Sequence, residues 1–109
     1  MMITTYTPDY WEDIQKVHDS ARMQELILAG LEAAFLPLTI AAEREDLFDY
    51  RLYVALEEGT AVGFVAFTED ELAWLYVRPD YQRRGIGRAL AQFALANMEA
   101  EDKSVEVLF

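Results

Sequence analysis

The chain has 109 residues, enough for one small domain and not two, and its 53% apolar content argues for a packed globule and against disorder. There are no cysteines, which excludes disulfides and thiolate metal sites, so no metal is expected and a cytoplasmic location is permitted. The net charge of −11 makes nucleic acid a poor partner; no apolar run is long enough to span a membrane, and Met1 to Tyr6 lack the basic-then-apolar order of a secretion signal.

Ile3-Thr4-Thr5-Tyr6 is short and β-prone. Thr7 and Pro8 read as the N-cap and first position of a helix. Tyr10, Ile14, Val17 and Ala21 follow at helical spacing, so a first amphipathic helix is predicted to about Ala21. A second helical stretch, apolar almost all round, is predicted from Met23 to about Phe35, before Pro37. Thr39 to Tyr50 is polar and acidic with weak periodicity and reads as a loop or a frayed turn.

The period then changes from helix to strand. Arg51 to Leu56 and Ala61 to Phe67 read as a hairpin around Glu57-Glu58-Gly59-Thr60, with Gly59 able to take a positive φ. Leu72 to Val77 is a third strand, nearly continuous in apolar residues and therefore expected to be buried on both faces. Pro79 ends it. Ile86, Leu90, Phe93 and Ala94 make a helical stripe running to about Ala100, and Ser104 to Phe109 alternates like a strand. The predicted order is β-α-α-β-β-β-α-β.

The informative unit joins the third strand to the last helix. The first N–H groups of a helix have no partner inside it and sit at the positive end of its dipole. Gly85 and Gly87 remove the Cβ atoms that would hold an anion away, so successive N–H groups can form a nest for phosphate oxygens. Arg78, Arg83, Arg84 and Arg88 place four of the nine basic residues within eleven positions there. On an otherwise acidic chain, such a patch suits a small polyanion, or else is simply a solvated basic helix start. The spacing is neither that of a P-loop nor that of a Rossmann fingerprint.

Leu75-Tyr76-Val77-Arg78-Pro79-Asp80-Tyr81-Gln82-Arg83-Arg84-Gly85-Ile86-Gly87-Arg88-Ala89-Leu90 resembles the acetyl-CoA-binding motif of the GNAT N-acetyltransferase superfamily. That motif is a strand ending in V-x-P-x-x, then [QR]-x-x-G-x-[GA] and a helix, here Gln82-x-x-Gly85-x-Gly87. The resemblance implies an α+β three-layer fold, with a mixed, mainly antiparallel sheet and helices on both faces. It implies acetyl-CoA as co-substrate: Leu75, Tyr76 and Val77 would pair with its pantetheine arm, and Gln82, Arg83, Arg84, Gly85, Ile86, Gly87 and Arg88 would hold its pyrophosphate. The family's strand usually carries a bulge opening a slot for the thioester, which this sequence does not locate.

The reaction so implied is direct attack of an amine on the acetyl carbonyl, giving an N-acetyl product and free CoA. A backbone N–H near Leu75 to Val77 is available for the oxyanion. For the base the first candidate is Glu71, which strict alternation would set on the side of Ala73, Leu75 and Val77; Glu69 is the second, and both also read as solvated turn residues. His18, the only histidine, reads as structural or exposed. Glu43, Glu45, Asp46 and Asp49 lie where the family often binds acceptors, and would favour a cationic amine if they are more than a solvated loop.

A complete domain of the family continues with another helix, often carrying a tyrosine that protonates the leaving thiolate, and two further strands. The sequence ends at Phe109, so no tyrosine is assigned that role. A fragment is the preferred explanation, ahead of completion by another chain or a degenerate protein. The edge of the last strand is expected to pair with a second copy, giving a homo-oligomer. An acyl-CoA-binding module without catalysis, and an interaction domain whose glycine loop serves only packing, remain the alternatives.

Overall fold

The computed structural model describes residues 1–98 and 106–107. Its order is β1 (Met2–Thr5), α1 (Trp11–Ala29), α2 (Leu38–Arg44), β2 (Arg51–Glu57), β3 (Thr60–Phe67), β4 (Glu71–Val77), α3 (Ile86–Asn97) and β5 (Glu106–Val107), with short 3-10 turns between several of them. The sheet runs β1-β2-β3-β4-β5. Its first four strands are antiparallel neighbours, and β5 lies parallel to β4. This is the mixed, mainly antiparallel α+β arrangement that the sequence implied.

Two apolar layers hold it. Ile14 and Val17 of α1 and Leu38, Ala41 and Ala42 of α2 pack on one face, against Val54, Phe64 and Trp74. Ile86, Leu90 and Ala94 of α3 pack on the other, against Val62, Val65, Phe67 and Leu72. Gly63 lets α3 approach β3: a Cβ there would stand 3.1 Å from Leu90 Cδ1 and 3.1 Å from the Tyr76 carbonyl oxygen. The β2–β3 turn takes positive φ at both Glu58 (51°) and Gly59 (82°), as a tight hairpin matched to strand twist requires.

The helical half differs from the prediction. There is no break near Arg22, because Arg22-Met23-Gln24-Glu25 are good helix formers and α1 continues through them. It stops at Gly30, whose φ of 72° supports the paired bonds Gly30 N–H to Ile27 O and Leu31 N–H to Leu26 O. The apolar residues on either side of it are not core: Leu28 is 84% exposed and Leu31 56%. The second helix is instead α2, which but for Leu38 falls inside the segment read as a loop or a frayed turn. Its N-terminus is held by Asp19, whose carboxylate accepts the Leu38 N–H at 2.8 Å. A cap supplied from nineteen residues upstream leaves no local signal. At the first helix start, Thr7 makes no side-chain cap; a 3-10 turn over Pro8–Tyr10 leads into α1 instead.

Two further expectations shift. The fully enclosed strand is β3, whereas β4 is only partly buried beyond Trp74; among the described residues β5 pairs with it at Glu71 and Leu72 alone. The last helix ends at Asn97, where the chain turns extended at Met98. Ala100 and most of the predicted final strand fall outside the described residues.

Candidate functional site

Strand β4 carries one extra residue. Phe67 pairs with Leu72 but Ala66 pairs with Trp74, so Ala73 is the added residue of a bulge. The bulge breaks the alternation assumed from sequence. Ala73 and Trp74 both turn to the α1/α2 face, while Leu75 and Val77 turn to the α3 face. Glu71 therefore does not share a side with Leu75 and Val77; its carboxylate accepts a hydrogen bond at 2.5 Å from Tyr50, which packs against the α1/α2 layer.

The backbone of β4 is divided in the same way. Arg78 N–H donates to Val62 O at 2.8 Å. Peptide groups alternate along a strand, so Trp74 and Tyr76 also direct theirs at β3, whereas those of Leu75 and Val77 face the opposite edge. Among the described residues no strand pairs with that edge beyond Leu72. The Val77 carbonyl accepts the Gln82 side-chain amide at 3.1 Å, which ties the loop back to the strand end.

The loop then turns sharply. Arg83 has a φ of 64° and Gly85 one of 84°, the alternation of backbone hand that aims successive N–H groups to one side. Gly85 is the N-cap of α3 without a side-chain cap, and the first helical bond is Ala89 N–H to Gly85 O at 3.0 Å. The N–H groups of Ile86, Gly87 and Arg88 thus have no backbone partner among the described residues. A Cβ at Gly85 would meet nothing within 4 Å, so the glycine faces open space rather than a packing contact. Val77, Gln82, Arg83, Gly85, Gly87 and Arg88 line an open concavity of about 500 Å³ there.

The arginines separate by role. Arg83 and Arg88 reach the concavity. Arg84 stacks on the Tyr81 ring at 4.8 Å. Arg78 forms a two-bond pair with Asp80, which raises the guanidinium pKa and holds the exposed Asp80 carboxyl below its ordinary value. Ile86 is buried against the sheet and offers the concavity only its N–H.

On the opposite face of the sheet, His18, Arg22, Ala34, Leu36, Ala41, Glu45, Tyr50, Ala73, Trp74 and Tyr76 enclose a smaller cavity of about 230 Å³. Of the four acidic residues noted in sequence, only Glu45 lines it. Glu69 makes no hydrogen bond or ion pair among the described residues. The bond to Glu71, partial burial and the charges of Glu71, Asp46 and Glu45 push the Tyr50 hydroxyl up to about 12. Burial raises the Tyr76 hydroxyl as well. Sequence reasoning missed Tyr50 and His18 as lining residues; the bulge that opens the cavity toward β4 has no signature beyond a run of apolar residues.

The sequence profile of the acetyltransferase (GNAT) domain matches residues 48–108, more than half of the chain. The chain belongs to the GNAT acetyltransferase family. Solved GNAT structures share the fold. A GCN5-related N-acetyltransferase from Rhodopseudomonas palustris superposes with a TM-score of 0.65 at 22% identity, covering 84% of this chain and 61% of that one. A ribosomal-protein-alanine N-acetyltransferase from Brucella melitensis gives 0.67 at 19%, covering 96% and 70%. A GNAT family acetyltransferase from Brucella melitensis, in complex with acetyl-CoA, gives 0.61 at 20%, covering 87% and 66%. At such identities the likeness is one of fold. The chain spans less than two thirds of the Rhodopseudomonas protein's length. No curated protein sequence matches it. Among the described residues no helix of this GNAT domain is long and apolar enough to cross a membrane.

Proposed function

We propose that the protein is an N-acetyltransferase that moves the acetyl group of acetyl-CoA to a primary amine by direct attack. One observation carries this: among the described residues β4 has an edge without a strand partner beyond Leu72, its bulge opens on the smaller cavity, and its end runs into the amide-lined concavity on the other face. A single strand thus joins a site suited to a polyanion with a site suited to an amine. The acetyl-CoA bound by a Brucella relative of the same fold supports the reading.

On this reading the N–H groups of Ile86, Gly87 and Arg88 hold the pyrophosphate, with Arg83 and Arg88 adding charge and Gln82 fixing the loop. Arg84 contributes at longer range from its place on Tyr81. The outward peptide groups of Leu75 and Val77 pair with the pantetheine arm, and an N–H of this edge faces the developing oxyanion. Tyr76 turns its peptide to β3 and its side chain to the smaller cavity, where it shapes the acceptor site. The amine lies beside Ala73, near enough to the thioester for attack. Glu45 in the lining and Glu71 behind Tyr50 outweigh the single Arg22 guanidinium of the same wall and favour a cationic amine there. Glu71 takes the proton that the ammonium must lose before it can attack, through the Tyr50 hydroxyl bonded to it. The cysteine-free composition agrees with transfer without an acyl-enzyme and with a cytoplasmic setting.

Titration with acetyl-CoA and a thiol-release assay over a panel of amines test the reading. Absence of both heat and thermal shift would sink the co-substrate site; binding without thiol release from any amine would leave a binding module instead of an enzyme.

A further inference from the structure

His18 is the polar residue of the buried core, 3% exposed, and the reaction as described makes no use of it. It stands on α1 one helical turn before Arg22 and lines the 230 Å³ cavity. Its ring meets Tyr76 edge-on with centroids 5.0 Å apart and lies 6.0 Å from Trp74. Nδ1 is 3.0 Å from Oδ1 of Asp19.

A carboxylate only accepts, so the shared hydrogen sits on Nδ1 and the neutral ring keeps its lone pair on Nε2. Asp19 is itself fixed, because the same oxygen accepts the Leu38 N–H at the start of α2. The ring is thus oriented by a carboxylate held between two helices. Nε2 makes no hydrogen bond among the described residues. Nor is it sealed in the core: the one buried side-chain polar atom without a partner among them is Nη2 of Arg51. Nε2 therefore opens on the cavity. Open to the cavity, that nitrogen is left to water or a ligand and escapes the cost of about 1–3 kcal/mol of an unmet buried polar atom.

We propose that His18 accepts the second proton of the acceptor amine, the one lost as the C–N bond forms; this rests on the acetyl-transfer reading above. The amine lone pair forms the bond to the acetyl carbon. The C–S bond breaks and its electron pair leaves with sulfur, which takes a proton from solvent. The N–H proton passes to Nε2, and Asp19 beside Nδ1 stabilises the imidazolium until it returns the proton to water. Glu71 keeps the earlier deprotonation of the ammonium.

His18→Asn keeps a side-chain N–H near the position of Nδ1 and removes the Nε2 lone pair. With acetyl-CoA and an amine that the wild type acetylates, its kcat should fall about a hundredfold. The KM for acetyl-CoA should stay unchanged, and added imidazole should restore part of the rate. A folded variant with kcat within threefold of wild type overturns the proposal. Should the variant fail to fold, the wild type decides. His18 is the only histidine, so diethyl pyrocarbonate followed by imidazole absorbance reports on it alone. Inactivation slowed by the amine and not by acetyl-CoA supports the role. Full modification with activity retained overturns it, as does resistance to the reagent, because Nε2 would then not be reachable from the cavity. If the wild type binds acetyl-CoA yet acetylates no amine, the acetyl-transfer reading falls first and this role with it.

Discussion

Replacing Gly87 with Asp separates a phosphate-binding loop from one that merely packs. Gly87 is the second residue of α3, and a Cβ there would lie 3.6 Å from Val77 Cγ2, an ordinary contact. Gly85 is the poorer choice, because its φ of 84° would strain any side chain. For the helix, Asp at this position is favourable: it exceeds Gly slightly in propensity and meets the positive end of the dipole, together about 0.5–1 kcal/mol. For a bound pyrophosphate it is unfavourable. At about 6 Å and an effective dielectric of about 20, each unit charge costs about 2.8 kcal/mol, and physiological salt reduces that by about half. Two such charges weaken binding by about 2.6 kcal/mol, close to a hundredfold in Kd. Calorimetric titration with acetyl-CoA and thermal melting should therefore move in opposite directions, with Kd rising and Tm increasing by a few degrees. A Kd within threefold of wild type, in a variant that melts no lower, would refute the assignment of the pyrophosphate to this loop.

Glu71→Gln and Tyr50→Phe should each lower kcat for thiol release by about a hundredfold with little change in acetyl-CoA affinity, and equal activity in both would remove this pair from the reaction. Tyr50 should ionise near pH 12, read at 295 nm as the difference between wild type and Tyr50→Phe, and Glu71→Gln should move that midpoint down toward 10. The folded value lies above the unfolded one, so the stability contributed by this tyrosine is complete below about pH 10 and is lost as pH rises through about 12. Gly63→Ala should destabilise by about 1–3 kcal/mol in urea unfolding, since the Tyr76 carbonyl 3.1 Å from the new Cβ is backbone and cannot turn aside; a neutral result would mean that α3 lifts freely from β3. We further propose that β5, one of the two edges of the sheet among the described residues, pairs with a second copy, and a clean monomer by light scattering would count against it.

Particular residues show why some features were legible in sequence. The β2–β3–β4 meander could be read because its apolar stretches are bounded by Glu58-Gly59 and by Thr68 to Asp70, turns whose chemistry is local. The loop before α3 was readable for the same reason: glycine at a positive φ and proline after a strand act through their own backbones. Two helices were misplaced where the decisive contact was distant. Ile27, Leu28 and Leu31 are apolar yet exposed, and α2 is capped by Asp19 rather than by its own neighbours.

The sequence by itself determined the order of elements, the anion-suited turn into α3 and the family, because each rests on residues within a few positions of one another. Only the tertiary structure decided which residues face the smaller cavity beside α1. The bulge at Ala73 rotates half of β4, so that Trp74 and Tyr76 look toward α1 while Leu75 and Val77 look toward α3. That rotation sets Tyr76 against His18, while Glu71, ahead of the bulge, meets Tyr50 across twenty-one residues. Alternation along a strand is a local rule, and an inserted residue reverses it without altering the apolar character from which the strand was read.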